Sequence, residues 1–207
     1  NGSWWLYNLK GDLLLENYGY FHITPNSFVT FSGQKVGHGI ADHNGNVILE
    51  PKYWNVNYLH DDIFKLIYQK GFKEKSYEVL YDSSKNCFIV ESDTGILEMP
   101  TIYDWCGNNY GNYTIIANNY KFGIIKQDCS IIADCIYSEI KECVGDIAIV
   151  RKDSKWQLLN LITGNLSSEY DNISHLKDDY FIFYLKYSYG IIDRNDNLIV
   201  PNRFNDD

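Results

Sequence analysis

Apolar runs of about five residues alternate with polar turns from one end of the chain to the other, and a longer rhythm lies over that alternation. An aromatic residue or His, a short apolar stretch, a polar turn and a second stretch occur in sequence six times: "WWLYNLKGDLLLENY", "HGIADHNGNVILEPKY", "YEVLYDSSKNCFIV", "FGIIKQDCSIIADCIY", "WQLLNLITGNLSSEY" and "YGIIDRNDNLIVPNRF". The second residues of these segments are Trp5, Gly39, Glu78, Gly123, Gln157 and Gly190, which sets the spacings at 34, 39, 45, 34 and 33. Tyr18, Tyr53, Tyr137, Tyr170 and Phe204 close five units at a nearly constant distance. In the third unit Tyr103 takes that place, pushed downstream by an insertion near residues 90 to 100.

Each anchor after the first is preceded by another apolar run: "SFVTF", "DIFKLIY", "NYTIIA", "DIAIVRK" and "DYFIFYLK". Each run reaches its anchor through a polar turn such as "KDSK" or "NNY", the mark of a hairpin. The fold class is therefore all-β, with each unit a three-stranded antiparallel meander. Strands this short cannot bury their faces within one meander, so neighbouring units must stack. The expected organisation is a single repeat array over 1–207, with units at 1–25, 26–60, 61–108, 109–142, 143–175 and 176–207. Two arrangements fit, an open superhelical stack or a closed propeller-like ring. The first unit lacks a preceding strand and the last is complete, which favours the open array and an upstream neighbouring domain.

The repeated slots have physical roles. A Gly after a large ring leaves room for a neighbouring side chain or a close backbone. Gly11, Gly45 and Gly164 fall where the turn calls for positive φ, and Asp42 or Asp193 can accept backbone N–H bonds across the same turn. A closing Tyr would bury its ring between units while its hydroxyl finds a partner. Trp156 and Tyr170, in repeat-mandated slots, are expected to be buried, whereas Trp105 or Tyr110 is expected to be substantially exposed.

The unit resembles that of the bacterial WG repeat proteins, in which an aromatic and Gly are followed by "I-D-x-x-G" and then "P-x-x-Y". The resemblance is carried by His38-Gly39, Asp42, Gly45 and Pro51 to Tyr53; by Phe122-Gly123 and Tyr137; by Trp156 and Tyr170; and by Tyr189-Gly190, Asp193, Pro201 and Phe204. It extends over essentially the whole chain. Gln157, Glu78 and Trp5 replace the Gly, and Lys126 and Asn160 replace the Asp. The resemblance implies an appended repeat module of a larger bacterial protein and brings no catalytic residues with it.

Composition narrows the function. The net charge is −9, from 18 basic and 27 acidic residues, with no Lys/Arg run to follow a phosphate backbone, so nucleic acid is not an expected partner. No stretch approaches the roughly 20 apolar residues that cross a bilayer, and the amino terminus has no basic region followed by an apolar core, so membrane insertion is not expected either. Met99 is the single Met, so what precedes residue 1 is open. Cys87, Cys106, Cys129, Cys135 and Cys143 form no C-x-x-C and are odd in number. They read as small strand hydrophobes in a reducing compartment, with the cytoplasm favoured.

Candidate chemistry is sparse. Asp42-x-Asn44-x-Asn46 and Asp193-x-Asn195-x-Asn197 resemble the start of a calcium loop but lack its closing Glu, and the same slots hold "YNLKGD" and "NLITGN" elsewhere, so they read as turns. His38, His43 and His60 lie near Asp42, Asp61 and Asp62, but His38 occupies an aromatic slot and reads as packing. No nucleophile elbow, zinc-protease or phosphate-loop motif occurs, and the acidic pairs Asp61-Asp62 and Asp178-Asp179 read as turn residues. No catalytic residue, cofactor or metal is expected. Trp54, Tyr58, Trp105, Tyr110 and Tyr113 are aromatics that the repeat does not require, and the segment "WCGNNYGNY" has the composition of a binding loop. These five are the expected partner surface. The expected function is a noncatalytic scaffold for protein–protein recognition, the alternative being a carbohydrate or cell-envelope binding module with Trp54 and Trp105 as stacking platforms.

Overall fold

The computed structural model describes residues 4–33, 37–69, 75–92 and 95–204, the side chains of Asn17, Arg203 and Phe204 excepted. Among the described residues every regular element is a β-strand, and the sheets are meanders of strands adjacent in sequence. A hairpin comes first, β1 (Trp4–Tyr7) with β2 (Leu13–Tyr18). It is followed by a sheet of β3 (Phe21–Ile23), β4 (Val29–Ser32), β5 (His38–Ala41) and β6 (Val47–Tyr53). The third sheet comprises β7 (Asn55–His60), β8 (Ile63–Tyr68), β9 (Tyr77–Asp82), β10 (Cys87–Ser92) and β11 (Gly95–Pro100). The fourth comprises β12 (Trp105–Tyr110), β13 (Tyr113–Asn118), β14 (Lys121–Lys126) and β15 (Ile131–Tyr137). The fifth has three strands, β16 (Glu139–Val144), β17 (Ile147–Lys152) and β18 (Lys155–Asn160). The last has β19 (Asn172–Lys177), β20 (Tyr180–Leu185), β21 (Ser188–Asp193) and β22 (Leu198–Phe204).

The full unit is thus a four-stranded meander, where the apolar pattern indicated three strands. The additional strand follows each closing aromatic, as β3, β7, β12, β16 or β19. In β7 and β19 only Val56 and Ile173 are buried, so an apolar alternation scarcely marks them. What forms them is the link residue. The N–H groups of Gly19, Trp54, Ser138 and Asp171 donate to the carbonyls of Ser32, Ile67, Arg151 and Tyr184 at 2.7–2.9 Å, so the chain enters these four sheets already paired to the second strand. The sheets consequently divide the chain just after each closing aromatic, and the expected boundaries at 60/61, 108/109, 142/143 and 175/176 fall inside sheets. The insertion near 90 to 100 is a hairpin that adds β11 as a fifth strand. In the fifth sheet the closing stretch shrinks to two bridges, Trp156 with Tyr170 and Leu159 with Leu166.

The Gly of the repeat answers to its own closing strand. Phe122 pairs with Tyr137 and Ile124 with Ala133, so three residues of β15 face the single Gly123, and a Cβ there would lie 2.5 Å from the Ala133 carbonyl oxygen. At Gly190 a Cβ would meet the Phe183 ring at 2.5 Å and the Val200 oxygen at 2.7 Å. Gln157 is tolerated in this slot because the closing stretch has withdrawn, and its Nε2 donates to the Ser167 carbonyl at 2.9 Å.

The turn that follows the anchor strand repeats bond for bond in four of the units. Asp42 N–H donates to Asn46 O, and Gly45 N–H to Asp42 O; the same pair of bonds recurs at 8–12, 126–130 and 193–197. Gly11, Gly45 and Gly164 have positive φ. Asp42 Oδ1 accepts from the Asn44 and Asn46 N–H groups while Asn46 Nδ2 donates to Oδ2, and Asp193 repeats this with Asn195 and Asn197. Asn8 and Asp12 make the same ring with amide and carboxylate exchanged. The Asp42 and Asp193 carboxylates, which suggested the start of a calcium loop, are engaged within their own turns.

The chain forms two compact units, Asn1–Glu91 with Gly95–Gly107, and Ser92–Thr94 with Asn108–Asp207. In the first, Leu15 of the hairpin packs with Val29, Phe31 and Ala41 of the next sheet. In the second, Ile147, Ile149, Trp156, Leu158 and Tyr170 of the three-stranded sheet pack on Ile173, Phe181, Phe183 and Ile192 of the last. Trp156 and Tyr170 are buried, as their slots require. The closing tyrosines differ at their hydroxyls. That of Tyr170 donates to Asp196, whereas that of Tyr53 is buried without a partner among the described residues. The ring of Phe204 lies outside the described side chains. None of the five cysteines is in a disulfide, and Cys129 is exposed.

Candidate functional site

The five aromatics picked out in the sequence fare unequally. Trp105 is 2% exposed, its Nε1 donating to the Glu78 carbonyl at 3.2 Å and its ring tilted on Tyr77 at 5.2 Å; it is core and not surface. The reason is that "WCGNNY" is the strand β12 and not a loop. Tyr113 is likewise buried. Trp54, Tyr58 and Tyr110 are half-buried, Tyr58 edge-on to Phe64 and Tyr110 donating to the Lys141 carbonyl at 3.2 Å. Of the five, Tyr110 and Tyr113 share a cleft, described below.

That cleft belongs to the turn edge of the second unit. Here the sheets are tied to one another by buried phenols donating to aspartates of the following sheet. Tyr113 donates to Asp146 Oδ1 at 2.7 Å, and Tyr170 to Asp196 Oδ1 at 2.6 Å. Asp196 also accepts the Ser168 N–H at 2.7 Å. It occupies the left-handed position, φ 64°, that Gly45 takes in the second repeat. The backbone strain, on the order of 1–2 kcal/mol, is offset by the two bonds its carboxylate receives.

Clefts lie between these ties. One of about 430 Å³ is bounded by Tyr110, Tyr113, Cys143 and Asp146. A second of about 430 Å³ is bounded by Lys126, Asp128, Asp146 and Ile162. A third, about 520 Å³, opens where the closing stretch leaves β18 and is lined by Asn160, Thr163, Asn165, Leu166, Arg194 and Asp196. Asn160 Oδ1 accepts the N–H groups of Ile162 and Thr163, which turns the chain outward and leaves Ile162 72% exposed. Sequence reading missed these residues. Their signal was the departure of "WQLLNLITGNLSSEY" from the repeat, at Gln157 and Asn160.

Burial pushes the Cys143 thiol up to about 12, which keeps it protonated. Lys141 is lowered, chiefly by desolvation, but its Nζ is occupied by Asn172 Oδ1 at 2.5 Å and the Ile173 carbonyl at 2.7 Å, 4.1 Å above the Trp156 ring. The acidic pairs are turn residues: Asp179 faces Arg194 at 3.3 Å, and the Asp178 carbonyl meets His175 Nε2. His38 Nδ1 lies 2.9 Å from the Tyr20 hydroxyl, and no group of three His, Cys, Asp or Glu placed to hold a metal occurs among the described residues.

Burial, followed by the bond to Asp146 and its charge, pushes Tyr113 up to about 12 from an ordinary value near 10. The folded state therefore holds this proton more tightly than the unfolded chain. The corresponding stability is complete below pH about 10 and is lost as the pH rises toward 12. In thermal melts from pH 9 to 12, Tyr113→Phe is expected to fall less steeply with pH than the wild type. Parallel curves would show that Tyr113 does not titrate with folding.

A family model described as "WG containing repeat" matches residues 122–156, from the anchor Phe122 of one repeat to the anchor Trp156 of the next. No curated protein matches the chain. Among solved structures, "KlHsv2 with loop 6CD replaced by a Gly-Ser linker" is similar over 87% of this chain and 63% of its own, at 12% identity and a TM-score of 0.37. PorZ, described as an essential bacterial surface component of the type-IX secretion system of Porphyromonas gingivalis, is similar over 88% of this chain and 26% of its own, at 10% identity and a TM-score of 0.30. The chain spans less than two thirds of either. One WG repeat is thus matched directly, at residues 122–156, and its turn and anchor chemistry recurs along the described residues.

Proposed function

We propose that this repeat module is a noncatalytic scaffold for protein recognition and that its partner docks on the turn edge of the second unit. One observation carries the reading: Ile162, together with the exposed Leu166, stands out from polar clefts at the place where the repeat loses its closing strand. An apolar anchor rimmed by Asn, Asp and Arg is the anatomy of a protein interface. The clefts supply amides, carboxylates and one guanidinium, with no activated nucleophile among them. The module would act inside a longer bacterial polypeptide, without nucleic acid and without a cofactor.

The carbohydrate reading is weaker because neither of the two platforms it names is open. Trp105 is buried and Trp54 half-buried. A photo-crosslinking residue at 162 is expected to join the module to one discrete protein in extracts of its source cell, and Ile162→Asp to abolish capture without moving the unfolding midpoint. Substrate turnover by the module, or glycan binding that survives Ile162→Asp, would overturn the scaffold reading.

A further inference from the structure

We propose that the outer edge of β15 is a strand-pairing site for an extended segment of a protein partner, one that sets Lys or Arg against Asp134. The proposal rests on the scaffold reading above but uses a different surface. β15 is the last strand of its sheet, Asp134 is exposed, and Ile131 and Ile136 are 59% and 47% exposed. The edge of a sheet offers a row of backbone donors and acceptors, and proteins ordinarily blunt such edges with proline or a cation.

Two of the closing strands carry such a device. Aligned on the closing aromatic, β6 ends in Glu50-Pro51-Lys52-Tyr53, and β22 in Pro201-Asn202-Arg203-Phe204. The short hairpin strand β2 ends in Glu16-Asn17-Tyr18, with an anion in place of either device. β15 ends in Asp134-Cys135-Ile136-Tyr137, with neither proline nor cation. In the place where its relatives carry Pro51 and Lys52, it presents a thiol side chain and an exposed isoleucine. The turn that leads into it, Lys126 to Ser130, supplies Lys126 and Asp128 to the cleft at Ile162, so the edge continues from the proposed docking surface.

Charge selects the occupant. The chain carries −9, and β15 has Asp134 as its one charged residue. Antiparallel pairing of two copies about the middle of the strand would bring the two Asp134 side chains together and join two strongly acidic chains, which like-charge repulsion opposes. An extended segment alternating apolar and basic residues meets both the isoleucines and Asp134.

The test uses the whole chain and the synthetic peptide Ac-KVKVKVK-NH2, with Ac-EVEVEVE-NH2 and a version carrying a central proline as controls. The basic peptide is expected to slow hydrogen exchange across residues 131–137, and the acidic one to bind at least about tenfold more weakly. Cys135→Pro with Ile136→Lys installs the pair that β6 already accommodates and should abolish both binding and protection. If that variant does not fold, Ile136→Lys alone should weaken binding by about tenfold. Unchanged binding in a folded variant, protection elsewhere than β15, or dimers that protect β15 without peptide would each overturn the proposal. Loss of this site with capture at residue 162 intact would leave the scaffold reading standing, and loss of capture with peptide binding intact would do the reverse.

Discussion

Trp105→Ala is expected to destabilise the first unit by about 3–5 kcal/mol, the cost typical of removing a buried aromatic and leaving its cavity. Trp105 is among the largest fully buried side chains, and its ring lies so close over Gly107 that a Cβ there would meet it at 2.5 Å. Alanine would vacate that space, remove the contact with Tyr77 and withdraw the donor from the Glu78 carbonyl. Against the roughly 5–15 kcal/mol that usually separates folded from unfolded domains, this is a large fraction. Urea unfolding followed by tryptophan fluorescence measures it, with Trp54→Ala as the half-buried comparison. A loss of less than about 1 kcal/mol for Trp105→Ala would mean that β12 does not hold this ring inside.

Trp156→Ala is expected to cost a similar 3–5 kcal/mol in the second unit, for a partly different reason. Trp156 is 6% exposed and belongs to the apolar layer between the last two sheets. It also has the Lys141 ammonium 4.1 Å and the Arg151 guanidinium 5.3 Å from its ring centre. Each such contact contributes on the order of 0.5–2 kcal/mol, according to its desolvation. Trp156→Leu should therefore recover part of the apolar loss and none of the cation–π contribution. Because stacked repeats depend on their neighbours, hydrogen exchange in the alanine variant should accelerate first across β16 to β22. Acceleration confined to β18 would show that Trp156 does not bind the two sheets together.

Trp156 and Trp105 mark the division between what could be read from the chain and what could not. Trp156 was legible because its slot recurs and its neighbours alternate, so the same local chemistry is stated several times. The turn rings at Asp42 and Asp193 were legible for the same reason, since all their bonds close within five residues. Trp105 was misread as a surface residue because β12 has no clear alternation, and its burial comes from Tyr77 and Glu78, nearly thirty positions upstream. The turn-edge clefts were hidden for a related reason: Asn160, Asn165 and Arg194 acquire a common cleft through the packing of separate sheets. Only the irregularity of the fifth repeat pointed toward them.

The sequence by itself determined the period, the all-β class, the anchor and closing slots and the Asp–Asn turns, because each is settled by contacts within one hairpin or by a pattern repeated in register. Tertiary structure decided that the unit has four strands, since the first strand of four of the meanders is held by a link-residue N–H reaching the second strand, and β7 and β19 bury only one side chain each. It also decided which aromatics are interior, which closing tyrosines find a partner, and that β15 keeps an open edge. Those outcomes depend on what the neighbouring strand or sheet places against a residue, and a local pattern of apolar and polar positions carries no record of that.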